Sequence, residues 1–143
     1  MKLNKVVLTA LSLCALAKTA YCETYAVCIG VNDYPNPKDA AGNPFKDEQG
    51  NPVDNKLNGC VNDAKSYASL LQSKFGVKKE NLKVLTDSQV TGTAFVDSVK
   101  WLIQSAKAGD HVFLQFSGHG SQIPNAEKAS GKQSVIVLQD MKL

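Results

Sequence analysis

Metal-binding patterns are missing from this chain: its four cysteines form no C-x-x-C pair and no His/Cys spacing suited to zinc. That excludes a structural zinc site of the usual kind. Basic residues are never clustered among aromatics, and the net charge is only +3. A nucleic-acid surface is therefore not expected. No G-x-G-x-x-G follows the first strand-like run, where Gly30-Val31-Asn32-Asp33 stands instead, so a dinucleotide-binding turn is disfavoured. Membrane-length hydrophobic stretches are lacking at the amino end as well. The uncharged, mostly apolar run Val6 to Ala17 covers 12 residues, too few for a stable spanning helix.

That run follows Lys2 and Lys5 and has the pattern of a signal-peptide core. Small residues allow cleavage after Ala15-Leu16-Ala17 or after Ala20-Tyr21-Cys22. Residues 1–22 are thus expected to be a signal peptide and the mature protein to be exported, secreted or periplasmic. The context of Cys22 makes a poor lipobox. What remains is enough for one domain, and 43% apolar with 20% charged residues is ordinary for a globular one. Cys28 stands in an apolar strand pattern and reads as a small buried hydrophobe. A Cys28–Cys60 disulfide is open to an exported chain, although nothing in the spacing demands it.

Tyr25 to Val31 (YAVCIGV) reads as a first strand, apolar throughout and buried on both faces. From Pro35 to Asn55 the chain turns rich in Gly, Pro, Asn and Asp, and a short unit repeats: DAAGNP from Asp39, then DEQGNP from Asp47. The eight-residue period suits a two-turn hairpin or an inserted surface loop, and the aspartate spacing lacks the alternate oxygen ligands of a calcium loop. Helical spacing begins near Cys60, where Val61, Ala64, Ala68, Leu71 and Phe75 form one stripe. Asn58 is the expected cap and Gly76 the stop. Leu82 to Thr86 reads as a second strand. Thr91 or Thr93 opens a second helix with Phe95, Val99, Leu102, Ile103 and Ala106 inward and Trp101 at the edge, and Gly109 ends it.

The run His111 to Gly120 (HVFLQFSGHG) organises the rest. Val112, Phe113, Leu114 and Phe116 suit a central strand covered on both faces. It breaks at Ser117-Gly118-His119-Gly120, where two glycines free the backbone to turn and present an imidazole at the strand's carboxyl end. In open α/β sheets that edge collects ligands and reactive groups. After a polar loop, Ser134 to Leu138 reads as the last strand. The alternation of strands and helices predicts a parallel sheet joined by right-handed crossovers.

The succession YAVCIGVNDY, LNGCVNDAKSYASLLQSKFGVKKENLKVLTD and WLIQSAKAGDHVFLQFSGHG resembles the metacaspases and other caspase-like cysteine peptidases. It runs from Tyr25 to Leu138, apart from the Pro35–Asn55 insertion. The resemblance implies an α/β fold: a caspase-like parallel sheet flanked by helices, incomplete at its C-terminal side. It also implies proteolysis by a Cys-His dyad, a preference for Arg or Lys before the scissile bond, and frequent dependence on calcium. His119 matches the dyad histidine, which gives a proton to the leaving amine. Gly120 matches the residue whose N–H helps bind the oxyanion. Cys60, Asp63 and Ser117 match positions lining the primary specificity pocket, where Asp63 would pair with a basic substrate side chain.

Two features depart from that pattern. All four cysteines precede His119, whereas the family's reactive cysteine lies roughly 50 residues after the histidine. The nucleophile is thus absent from this stretch, which is expected to be inactive alone. The acidic segment that serves calcium in the family reads Ser130-Gly131-Lys132-Gln133-Ser134 here, while Asp140 still matches the aspartate after the last strand. No cofactor is therefore expected to be required. The expected partners are a peptide or protein substrate with Arg or Lys, and a C-terminal half or a second copy pairing at an open sheet edge. The alternative function is a non-catalytic caspase-like module that binds a peptide or a partner protein.

Overall fold

A computed structural model describes residues 22–141. The expected signal peptide falls on residues 1–22 and so lies almost wholly outside the described part. Three strands form a parallel sheet: β1 (Thr24–Gly30), β2 (Leu82–Thr86) and β3 (His111–Ser117), in the order β2-β1-β3. Two helices flank it, α1 (Cys60–Phe75) and α2 (Gly92–Ser105). The α/β class and the parallel sheet covered by helices are as the sequence predicts.

The alternation of side chains along β1 divides the core in two. Ala26 and Cys28 point to α1 and pack with Ala64, Ala68, Leu71 and Val77. Val27 and Ile29 point the other way, into a cluster with Val31, Tyr34, Val90 and Leu102. β1 is completely buried from Ala26 to Gly30 because it has a strand on each side and a helical layer on each face. Each fully buried valine or isoleucine there contributes about 1.5–3 kcal/mol relative to exposure.

The central strand is therefore β1, and β3 lies at the sheet's edge, contrary to the sequence reading. Register places Val112 and Leu114 beside Tyr25 and Val27. Of that row only Phe116 reaches the cluster under α2. Val112 and Leu114 are left 55% and 47% exposed, since α2 packs over β1 with Phe95 and Trp101 and does not extend across β3. An apolar run alone does not distinguish a covered strand from an edge strand whose cover lies elsewhere.

The last strand also differs from expectation. It spans Lys132–Ile136 (β5) and pairs antiparallel with β4 (Gly120–Pro124), a strand that falls where the composition predicts a polar loop. The two form a ribbon outside the parallel sheet. Val137 and Leu138 leave β5 and fill the core cluster under α2. The apolarity of that run thus reflects core filling more than strand pairing.

Helix ends and faces are partly as expected. Gly76 stops α1 in a left-handed conformation, φ 65°, with its N–H bonded to the Leu71 carbonyl. Thr91, the first of the two candidate residues, caps α2 by accepting the Ala94 N–H at 3.1 Å. Asn58 does not cap α1, because Gly59 holds that position with φ 112°. Phe75 falls off the buried stripe and is 67% exposed, and Ile103 of α2 is exposed too. Cys22, Cys28 and Cys60 are free thiols, so Cys28 and Cys60 are not bridged.

The Pro35–Asn55 insertion is a pair of identical turns. In each, an aspartate accepts two backbone amides and one asparagine side chain: Asp39 from Ala41 and Asn43, Asp47 from Gln49 and Asn51. Gly42 and Gly50 supply the left-handed residue each turn needs, at φ 87° and 84°. The turns stack, with Phe45 N–H on the Pro37 carbonyl and Val53 N–H on the Phe45 carbonyl. The repeat is a turn motif whose carboxylates are occupied by its own amides.

Candidate functional site

The residues singled out from sequence converge on the carboxyl edge of the sheet, where β1 and β3 end. At the tip of β1, Gly30 permits a close approach. A Cβ there would lie 2.1 Å from the Cys60 carbonyl oxygen and 2.8 Å from Val61 Cα. The start of α1 can press against the strand only because that Cβ is missing. The Asn32 side chain then accepts the Cys60 N–H at 2.9 Å, satisfying one of the helix's unpaired amides.

Asn32 is itself held from β2. The Asp87 carboxylate accepts the Asn32 and Asp33 amides at 2.8 and 3.0 Å. Asp87 has φ 46°, a left-handed value that is uncommon outside glycine. This residue was visible in sequence only as an acid after a short strand. Its role depends on two strands meeting, which no local pattern encodes.

Asp63 sits in the first turn of α1 with an exposed side chain, where the helix dipole favours negative charge. Ser117, the last residue of β3, donates its hydroxyl to Asp63 Oδ2 at 2.7 Å. The parallel register of β1 and β3 brings Gly30 and Ser117 side by side, and α1 starts against Gly30. Cys60, Asp63 and Ser117 are thereby gathered at one place. The arrangement presents a fixed carboxylate to solvent, suited to a lysine or guanidinium group.

His119 follows two residues later and is half-buried. Its Nε2 lies 2.8 Å from the Asn55 carbonyl. A carbonyl only accepts, so Nε2 carries the hydrogen and Nδ1 is left as the basic nitrogen of the neutral ring. The Tyr34 ring packs against the imidazole at 4.6 Å between centroids. Burial pushes the Tyr34 phenol's pKa up, against a smaller lowering by the His119 amide that it accepts, so it stays a neutral hydroxyl. Tyr34 and Asn55 were not singled out from sequence. The first stands just before the Pro35–Asn55 insertion and the second closes it, so neither belongs to a periodic run.

The two glycines around His119 work differently from expectation. Neither has a left-handed φ. Gly118 is required for space: a Cβ would come within 2.4 Å of the Tyr34 hydroxyl and 2.8 Å of the Phe116 ring. Gly120 opens β4 opposite Ile136. Because Val137 N–H bonds to the His119 carbonyl, the alternation of an antiparallel ladder makes Gly120–Ile136 a non-bonded pair. The Gly120 N–H therefore points away from β5 and takes no part in the ribbon's pairing.

A cleft of about 600 Å³ opens beside the two partners of His119, walled by Tyr34, Pro35, Lys38, Asn55, Gln139 and Asp140. Asp140 has a structural task, accepting the Gly92 N–H at the start of α2 with both oxygens at 3.0 Å. The segment Ser130–Ser134, with Lys132 in it, lies at and before β5 and has no carboxylate of its own to offer calcium. Among the described residues no three His, Cys, Asp or Glu side chains gather as a metal-holding group.

Comparison with known proteins gives a consistent picture. A family model described as metacaspase, peptidase C14 domain, matches residues 25–143. Metacaspase-1A of Aspergillus oryzae is 35% identical over 95 residues, covering 61% of this chain and 23% of that protein. Metacaspase-1B of Aspergillus fumigatus is 31% identical over 97 residues, covering 62% of this chain and 24% of that one. The chain thus spans about a quarter of the curated relatives it matches. A Geobacter sulfurreducens protein of known crystal structure superposes with a TM-score of 0.63 at 24% identity, covering 85% of this chain and 41% of that one; this likeness bears on the fold alone. A sheet edge that holds a histidine between two glycines, faced by an acid on the first helix, agrees with the match along the sequence: the chain belongs to the metacaspases, the cysteine peptidases of the C14 class.

Proposed function

We propose that these residues form the histidine half of an endopeptidase site that cuts after Lys or Arg, and that the thiolate comes from residues outside this stretch. Alone, residues 1–143 do not cleave peptides. The observation that carries this reading is the fixed tautomer of His119, with Nε2–H spent on Asn55 and Nδ1 left basic, beside an outward-pointing Gly120 N–H. Asp63, steadied by Ser117, receives the basic side chain of the substrate.

The chemistry follows from these roles. Nδ1 takes the thiol proton, the thiolate forms a bond to the scissile carbonyl carbon, and the carbonyl oxygen becomes an oxyanion facing the Gly120 N–H. The C–N bond then breaks as the imidazolium returns its proton to the leaving amine, and water hydrolyses the thioester. A fixed oxyanion donor of this kind is worth about 3–4 kcal/mol of barrier.

Calcium is not required in this reading, because the segment that would carry its ligands has Lys132 and neutral residues in their place. Export is inferred from the run between Val6 and Ala17. The free edge of β3, with Val112 and Leu114 exposed, would pair with a C-terminal half or a second copy. A non-catalytic peptide-binding module is the second reading, favoured by the same loss of acids.

The test is to incubate the full chain with a lysine- or arginine-containing peptide, with and without calcium, and with a separately produced metacaspase C-terminal fragment bearing the cysteine. Cleavage only with the fragment, lost in His119→Ala and independent of calcium, supports the proposal. Cleavage by the chain alone, or cleavage with the fragment that survives His119→Ala, would overturn it. Stable binding of fragment and peptide with no cleavage would favour the second reading.

A further inference from the structure

We propose that Tyr34 is the positioning residue of His119, acting through a phenol that bridges the two chains at the end of the β4–β5 ladder. Its importance to the peptidase chemistry rests on the function proposed above, but its geometry and its test do not. The Tyr34 hydroxyl accepts the His119 N–H at 3.0 Å and donates to the Val137 carbonyl at 2.8 Å. In the other direction Val137 N–H bonds the His119 carbonyl directly, at 2.9 Å. His119 and Val137 therefore face each other as a bonded pair would, except that one of the two bonds is relayed through an oxygen from another part of the chain.

The consequence is that the β4–β5 ribbon is closed at its histidine end by the phenol, one residue beyond the Gly120–Ile136 pair. His119 is fixed at its amide by the phenol, at its carbonyl by Val137, at Nε2 by Asn55 and on its ring face by the Tyr34 ring. Two of these four restraints come from one side chain. Tyr34 is itself 2% exposed and belongs to the core cluster with Val27, Ile29 and Val137, so it transmits the rigidity of the sheet to the imidazole.

Simple packing does not account for this arrangement. Phenylalanine would fill the same volume, yet the hydroxyl reaches the one backbone N–H and one C=O that the ladder leaves unpaired at this point. Gly118 accommodates it, since any Cβ there would collide with that hydroxyl at 2.4 Å. The Ser-Gly-His run and the tyrosine 84 positions before Gly118 are thus one device.

The experiment is nitrogen-15 NMR on the full chain, wild type against Tyr34→Phe. It reads amide hydrogen exchange at His119 and at Val27 to Ile29 of β1, together with the ring-nitrogen shifts of His119. The expected result is that exchange at His119 rises at least about tenfold more than at the β1 amides, equivalent to 1.4 kcal/mol, and that the pure Nε2–H tautomer becomes a mixture. Equal loss of protection at both places, or an unchanged tautomer, would mean Tyr34 only packs and would overturn the proposal. Should Tyr34→Phe not fold, the wild type decides. A slowly exchanging Tyr34 hydroxyl proton with a nuclear Overhauser contact to the His119 amide is required, and a freely rotating, fast-exchanging hydroxyl refutes it. With a cysteine-bearing fragment supplied, Tyr34→Phe should lower kcat about tenfold with KM unchanged. If no cleavage can be reconstituted while the NMR signature holds, the peptidase reading fails and the positioning role stands.

Discussion

Replacing Gly118 by alanine probes the tightest contact behind His119. The added Cβ would stand 2.4 Å from the Tyr34 hydroxyl and 2.8 and 3.0 Å from two carbons of the Phe116 ring. An ordinary carbon–oxygen contact needs roughly 0.8–1 Å more than the first of these. Phe116 is only half-buried and its ring tip can swing. The phenol cannot retreat as easily, because it is 2% exposed and tied by two hydrogen bonds at 3.0 and 2.8 Å. Losing those bonds costs about 1 kcal/mol each, and residual overpacking adds about 1–2 kcal/mol. The expected destabilisation is therefore about 3 kcal/mol, or a fall of about 2 M in urea midpoint at a slope near 1.5 kcal/mol/M. In a Tyr34→Phe background the hydroxyl is gone, and the same alanine should cost only about 1 kcal/mol. Equilibrium urea unfolding of the wild type, both single variants and the double variant measures the coupling, expected at about 2 kcal/mol. Additivity within about 0.5 kcal/mol would show that Gly118 and Tyr34 do not meet.

The thiols should differ sharply in reactivity. Burial pushes Cys28 up to about 11, so at pH 8 a thiol reagent should label Cys22 and Cys60 in the folded protein and reach Cys28 only on unfolding; peptide mapping after alkylation reads this directly. Lys78, ahead of Asn81, holds the Glu23 carboxyl below its ordinary value of 4.5, while Glu23 in turn raises Lys78 above 10.5. A depressed carboxylate stabilises the fold above its unfolded pKa and loses that contribution as pH falls through the folded one; the raised lysine loses its own as pH rises through its folded value. Glu23→Gln should hence flatten the fall in urea midpoint below pH 4.5 and the fall above pH 10.5, and unchanged limbs would contradict the ion pair. Leu114→Lys adds a charge on the exposed row of the edge strand. It should leave the urea midpoint within about 0.5 kcal/mol of wild type and shift any dimer or aggregate toward monomer in sedimentation. Asp63→Asn, in the presence of a cysteine-bearing fragment, should raise KM for lysine peptides at least tenfold and leave neutral peptides unaffected.

Much of this protein was legible without coordinates because it was local. Alternating strand and helix runs announced the α/β class, the left-handed stop at Gly76 and the Thr91 cap followed from single residues, and Ser117-Gly118-His119-Gly120 stood out at the end of an apolar run. The family resemblance then attached roles to His119, Gly120, Cys60, Asp63 and Ser117, and the fold brings Ser117 and Asp63 into contact. Other properties depended on which elements meet. Hydrophobicity marked β1 and β3 alike, yet only β1 has a neighbour on both sides, so β3 became the edge. The run from Ser134 to Leu138 was apolar enough for a sheet strand, but its last two residues were needed in the core and its pairing went to β4. Tyr34, Asn55 and Asp87 carry no local signature, since each acts on a group at least 50 positions away in the chain. Periodicity and turn chemistry are written in neighbouring residues. The grip on the histidine is written in a hydroxyl and a carbonyl that only chain folding could bring to it.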